Sequence, residues 1–345
     1  MFKKMLSFFL LLSVVFSFSL TPVAIAQGNS EKNNNSDLRK PIHATNIKIA
    51  KKIFDPSAIK GIKTKDRPDK PENNKKPSYN GVATGVLGTG VTGNKYAIII
   101  GICDYPGSNY DLCWADGDSL NMRNALVNKY GYSDENIYMF RDTDPNRTDI
   151  TDGAATFNNI KDAILNKIKP NISEGDEVVF FFSGHGGSLY TDIDPEDEID
   201  GTDEIILVHN GSEVVGISDD TLVSWFHNFG TSRIVFVFDT CHAGGMNDLT
   251  SEGRIVVMAT EENRSAYVYS TGVPEIEEGE GVFSRLFVNL GMLQDFADGY
   301  NNLKKSDENV AVEEAFDYAK KNIPGRIKRI QRPVISDGFL DDLLL

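Results

Sequence analysis

The sequence predicts an α/β protein: a mostly parallel central sheet of about six strands flanked by helices, an α/β/α sandwich. Two observations carry this. The runs Val-Val-Phe-Phe-Phe at 178–182 and Ile-Val-Phe-Val-Phe at 234–238 are apolar without alternation, as in strands buried on both faces of a parallel sheet. From Lys95 onward such runs alternate with stretches of helical spacing, the pattern of one α/β domain of about 250 residues with a single sizeable core.

In order, residues 96–102 read as a first buried strand and 116–130 as a helix with Leu120, Ala125, Leu126 and Val127 on its apolar side. A strand at 136–141 follows, then a helix at 154–168 ended by Pro170. Residues 177–183 form the third strand and 204–208 a short one. A helix at 219–229 starts at a Ser218 or Asp219 cap. Strands at 233–239 and 254–260, late helices at 283–296 and 312–322, and a last edge strand at 333–335 complete the domain.

Ahead of it the chain reads differently. Lys3 and Lys4, an apolar core over 5–20 and Ala24-Ile25-Ala26 make residues 1–26 a secretory signal peptide, so the mature protein is expected outside the cell. No later run approaches the roughly 20 apolar residues of a membrane span. Residues 27–93 are rich in Asn, Lys and Pro and read as a disordered basic pro-segment or linker. Within it, residues 47–53 form a short amphipathic piece with helical character. The domain itself is assigned to 94–345.

Charge divides the same way. Residues 27–94 carry 13 Lys/Arg and 6 Asp/Glu, whereas residues 95–345 carry 20 and 44. So acidic a domain argues against nucleic acid and suits basic peptides. Of the three cysteines, Cys103 and Cys113 read best as small buried apolar residues, although one bridge between them is possible; Cys241 remains as the lone thiol.

Both central strands end in short polar strings: Ser183-Gly184-His185-Gly186, and Asp239-Thr240-Cys241-His242-Ala243-Gly244-Gly245. Open α/β sheets place their sites at the carboxyl ends of strands. A thiol attacks a carbonyl as thiolate and needs a nearby base. His185 can take the proton and return it to the leaving amine. The amides of Gly186 and Cys241 can bind the oxyanion. His242 is a weaker candidate, since neighbouring side chains at a strand end diverge. His209 and His227 read as structural or exposed, and Trp114 and Trp225 as core or groove walls.

His185 and Cys241 stand 56 residues apart, and in caspases the His precedes the Cys by about 50. Residues 95–345 resemble the caspase-like fold of cysteine peptidases (peptidase family C14), and within it metacaspases. Leu112-Cys113-Trp114-Ala115-Asp116 resembles their L-x-G-C-x-N-D segment, with Leu112 where the glycine stands. The acidic stretch 198–204 followed by Ile217-Ser218-Asp219-Asp220 resembles their acidic loop and next helix start, and Gly281-Val282-Phe283-Ser284 their G-x-F-[ST] segment. Asp239-Thr240-Cys241 matches the metacaspase D-x-C and not the Gln-Ala-Cys of caspases proper.

The resemblance implies that Asp239 and Asp116 hold an Arg or Lys side chain before the cut; a carboxylate there suits a guanidinium. It also implies calcium at Asp203, Asp219, Asp220 and Asp248. An EF-hand fit fails, because the twelfth position of the loop from Glu196 is Leu207. The function expected is therefore a secreted, calcium-stimulated, self-processing cysteine endopeptidase acting on basic protein or peptide substrates, its own pro-segment included, with no organic cofactor. Another specificity, a transpeptidase-type acyl transfer, or a non-catalytic binding module are the alternatives.

Overall fold

The computed structural model describes residues 48–51, 83–107, 111–112, 114–142, 151–189, 202–270, 279–325 and 327–345. Residues 1–26, read as a signal peptide, Cys113, Lys75 and most of the acidic loop lie outside them. So do residues 27–47 and 52–82 of the segment read as disordered.

Strand β1 is Lys48–Lys51. The domain proper opens with β2 (Lys95–Ile102), α1 (Ala115–Tyr130) and β3 (Ile137–Asp142). Next comes α2 (Phe157–Asp162), which continues as a π-helix over Ala163–Ile168, then β4 (Glu177–Ser183). Three short strands follow: β5 (Gly186–Leu189), β6 (Asp203–His209) and β7 (Val214–Ser218). Helix α3 (Asp219–Phe226) precedes β8 (Ile234–Asp239), a 3₁₀ turn over Ala243–Leu249 and β9 (Arg254–Met258). Strands β10 (Tyr267–Ser270) and β11 (Gly279–Gly281) lead into α4 (Val282–Ser284), extended by a π-helix over Arg285–Leu293. Helix α5 (Val312–Asn322) and β12 (Val334–Asp337) close the chain.

The central sheet has six strands in the order β12-β9-β8-β4-β2-β3, parallel except for the edge strand β12. Its two faces are sorted by the alternation of side chains along each strand. Ala97, Ile99, Val179, Phe181, Val235 and Val237 pack with α1, the π-helix after α4, and α5. Ile98, Ile100, Phe180, Phe182, Phe236 and Phe238 pack with α2 and α3. Both faces are covered, which is why the central strands are unbroken apolar runs at 178–182 and 234–238.

Ser218 caps α3, accepting the Thr221 N–H at 3.1 Å. The expected short strand at 204–208 is the middle of a separate antiparallel sheet, β5-β6-β7.

Three expectations change. Residues 48–51 are a strand and not a helix; Ile49 and Ala50 pair with β10, and strand pairing overrides a weak local helical preference. Residues 83–93 belong to the domain surface and not to a linker. The Ala83 N–H donates to Asp317 at 2.9 Å, those of Thr84 and Gly85 to Asp342 at 2.7 Å each, and Leu87 bridges Asp342. Cys103 is disulfide-bonded while Cys241 is not, in place of the expected pair of buried thiols. The main chain returns to Cys103, whose carbonyl accepts the Leu112 N–H at 2.7 Å, a closure that spacing alone does not reveal.

Candidate active site

Strands β4 and β8 run side by side, with Ser183 opposite Asp239. The two polar strings therefore leave the sheet at one place, and the Gly184 N–H reaches the Asp239 carbonyl at 3.4 Å. A Cβ at Gly186 would collide with Thr240 Oγ1 and lie 2.7 Å from the Cys241 carbonyl oxygen. Glycine is thus needed there because the loop carrying His185 presses on the loop carrying Cys241.

His185 is 3% exposed and held from several sides. Its N–H donates to Tyr105 Oη at 2.9 Å, and its carbonyl accepts the Leu207 N–H at 3.0 Å. The Tyr105 ring lies 5.1 Å from the imidazole, tilted by 52°. The Tyr105 hydroxyl donates to the Leu207 carbonyl at 3.0 Å, and burial pushes the phenol up so that it stays protonated. Sequence reasoning missed Tyr105; its only trace is its place just past the end of β2.

Cys241 is 4% exposed, with Sγ 4.0 Å from the Ala266 carbonyl oxygen. The next residue, His242, takes a left-handed conformation (φ 60°), which a non-glycine residue adopts at some cost. Its N–H bonds the Arg264 carbonyl at 2.8 Å, and its carbonyl accepts the Gly245 N–H at 3.1 Å. Its Nδ1 lies 3.1 Å from Ser188 Oγ, which donates to Glu204 at 2.8 Å. His242 is thus tied locally, as its position beside the cysteine suggested.

Asp239 is buried, and one oxygen accepts both the N–H and the Oγ–H of Ser284, at 3.0 and 2.7 Å. The second carboxylate beside it is Asp118. It accepts the Gly281 N–H at 3.0 Å and the Ser183 hydroxyl at 2.7 Å, and a Cβ on Gly281 would meet both carboxylates. Asp116 lies two positions earlier in the same helical turn and pairs with Arg141 at 3.2 Å, both side chains nearly inaccessible. The structure thus brings Asp118 to Asp239, where the sequence pointed to Asp116. The spacing Asp-x-Asp at 116–118 offered both, and only the direction of α1 separates them.

Asp203 opens β6, Asp219 and Asp220 form the first turn of α3, and Asp248 sits in the 3₁₀ turn after Cys241. Burial pushes Asp219 up to about 8, and the negative charges of Asp248, Asp220 and Asp203 push the same way. Its Oδ2 is buried without a hydrogen-bond partner. Asp203, Asp220 and Asp248 thus lie near enough for their charges to act on Asp219. Among the described residues, no group of three or more His, Cys, Asp or Glu side chains is placed so that it could hold a metal ion. His209 bonds Asp142 at 2.8 Å, and Trp225 packs on Phe157; both are structural.

A family profile described as "Metacaspase, peptidase C14 domain" matches residues 95–250. The chain is 33% identical over 177 residues to Metacaspase-7 of Arabidopsis thaliana, covering 51% of this chain and 41% of that protein. It is 31% identical over 228 residues to Metacaspase-1 of Kluyveromyces lactis, covering 64% and 48%. Metacaspase-1 of Cryptococcus neoformans matches at 32% over 205 residues, covering 56% and 39%. The chain thus spans less than half the length of these relatives. The matched residues include both strand-end loops, the one carrying His185 and the one carrying Cys241. Residues 95–250 are thus similar to the peptidase C14 domain of metacaspases.

Proposed function

We propose that this chain is a secreted cysteine endopeptidase that cuts peptide bonds after Arg or Lys, stimulated by calcium and processing itself. One observation carries the reading: parallel strands β4 and β8, in register at Ser183 and Asp239, deliver an imidazole and a thiol to one edge of the sheet. His185 takes the proton of Cys241, and the thiolate attacks the substrate carbonyl. The amides of Gly186 and Cys241 hold the oxyanion. His185 then protonates the leaving amine, and water hydrolyses the thioester.

Asp239 and Asp118 supply a buried acidic floor for the side chain before the cut, oriented by Ser284, Ser183 and the Gly281 amide. Two carboxylates suit a guanidinium or an ammonium and repel an acidic residue. Asp203, Asp219, Asp220 and Asp248 would hold calcium, which would neutralise their mutual repulsion beside the loop that follows Cys241. Secretion rests on the pattern of residues 1–26 and is tested by sequencing the amino terminus of exported protein, expected at Gln27. Among the described residues no helix is long and apolar enough to cross a membrane.

The deciding experiment treats the purified chain with a thiol-reactive peptide ending in Arg, and follows hydrolysis of Arg, Lys and Asp peptides. Covalent labelling confined to Cys241, with Arg and Lys peptides cleaved, is the expected result. Preference for Asp peptides would remove the basic specificity, and labelling without turnover would favour a binding module.

A further inference from the structure

Glu204 is buried on the face of β6 that it shares with Ile206 and Val208, both wholly inaccessible. A carboxylate on such a face is costly unless its oxygens are bonded. Its bonds lead to the nucleophile. Ser188, opposite Glu204 in the β5–β6 pair, donates its hydroxyl to Glu204 Oε1 at 2.8 Å. The same Ser188 Oγ lies 3.1 Å from His242 Nδ1. A hydroxyl has one proton; once given to the carboxylate, it leaves Oγ to accept from the ring, so Nδ1 carries a proton. Donation therefore runs from His242 to Ser188 to Glu204. The second oxygen, Oε2, lies against the turn that follows Cys241, where a Cβ on Gly245 would collide with it. A left-handed residue such as His242 persists only where its surroundings over-determine it. Here the Arg264 carbonyl holds its N–H, Gly245 holds its carbonyl, and the Ser188–Glu204 pair holds its ring. The same strand holds the other catalytic loop. The Leu207 N–H donates to the His185 carbonyl at 3.0 Å, and the Leu207 carbonyl accepts the Tyr105 hydroxyl. Both loops are thus tied to β6.

We infer that Glu204 is the positioning residue of the nucleophile: acting through Ser188 and His242, it braces the turn after Cys241 so that the thiol and the Cys241 amide stay set against His185. The inference rests on the peptidase reading above. Glu204 touches neither substrate nor sulfur in this role; it fixes the placement of one catalytic loop against the other. With the turn braced, attack starts from an aligned pair. With it loose, alignment has to be found in each turnover, and the loss falls on the chemical step and not on binding. Four substitutions separate the hydrogen bonds from the bulk of the side chains. Ser188→Ala removes the bridging hydroxyl, and Glu204→Met keeps the length of the side chain without its oxygens. Ser188→Thr retains the hydroxyl, and Glu204→Gln retains an acceptor.

The test uses the full chain in two arms. In Cys241→Ala protein, adding Ser188→Ala or Glu204→Met should lower the hydrogen-exchange protection of the His242 and Gly245 amides about tenfold, the effect of one lost bond to a charged group. The amides of β4 and β8 should keep theirs. Adding Ser188→Thr or Glu204→Gln should hold protection within about threefold of the parent. Unaltered protection with the first two substitutions, or no recovery with the second two, would overturn the bracing; this arm does not depend on activity. If Glu204→Met does not fold, Ser188→Ala, at a half-buried position, decides alone. With Cys241 intact, Ser188→Ala and Glu204→Met should lower kcat on an Arg peptide about tenfold to a hundredfold with KM within about twofold, and Ser188→Thr should restore kcat. A raised KM with unchanged kcat, or a wild-type kcat in both variants, would overturn the positioning role. A protein whose turn is braced but which cleaves no basic peptide would overturn the peptidase reading, and the positioning role with it, while the bracing stands.

Discussion

In the proposed mechanism Cys241 and His185 act as a unit, so their losses should not add. Cys241→Ala and His185→Ala are each expected to abolish hydrolysis of Arg peptides, with the double variant scarcely worse, because removing either partner leaves the same residual catalysis. Single-turnover rates on one peptide check this, and substantial activity in Cys241→Ala would remove the nucleophile assignment. The two aspartates of α1 separate by the same logic. Asp118→Asn should lower kcat/KM for Arg peptides more than tenfold, since about 1.4 kcal/mol of a charge-assisted contact already does so. Asp116→Asn should instead destabilise the fold by about 3–5 kcal/mol, because it strands the buried Arg141 guanidinium. Denaturant unfolding together with kcat/KM for both variants decides, and the reverse pattern would return Asp116 to the pocket. The carboxylates, the thiol and the imidazole were all legible in sequence. Which Asp of Asp116 and Asp118 turns toward Asp239 was not, because residues two apart on a helix point in different directions.

At the scale of elements, the strands and helices of the domain follow the apolar spacing closely, since a doubly covered sheet imposes unbroken apolar strands. The elements that spacing missed are β1, β5, β7, β10 and β11, all short and shaped by partners distant in sequence. Helix α5 shows a further long-range tie. Asp317 accepts the Ala83 N–H, and burial raises its carboxyl to about 6 despite that bond and Lys320 nearby. A folded-state value above the ordinary one means the protonated form favours folding. Its contribution is complete below pH about 4 and is lost as pH rises through about 6. Asp317→Asn should therefore match the wild type in thermal stability near pH 4 and exceed it at pH 7. Parallel melting curves at both pH values test this; an equal difference at both would show that Asp317 does not titrate in that window.

For the molecule as a whole, the proposed function ties activity to ionic conditions through the acidic domain and the aspartates at 203, 219, 220 and 248. Calcium at roughly 10⁻⁵ to 10⁻³ M, the range of weaker and extracellular sites, is expected to raise the melting temperature and the rate on Arg peptides. Asp220→Ala should weaken both responses. Melting curves with calcium and with chelator are the measurement. An unchanged melting temperature together with full activity in chelator would remove the metal.

The sequence by itself determined the α/β class, the order of the main strands, and the strand-end strings that carry His185 and Cys241. Those follow from local chemistry: apolar runs must be buried, and polar strings after them must emerge at strand ends. Tertiary structure alone decided which strands are neighbours, that Asp118 joins Asp239, that Tyr105 holds the His185 main chain, and that Lys48–Lys51 lies along β10. Each of these depends on contacts between residues tens to hundreds of positions apart. Neither spacing nor composition encodes such contacts, because they arise only when both faces of the sheet are covered at once.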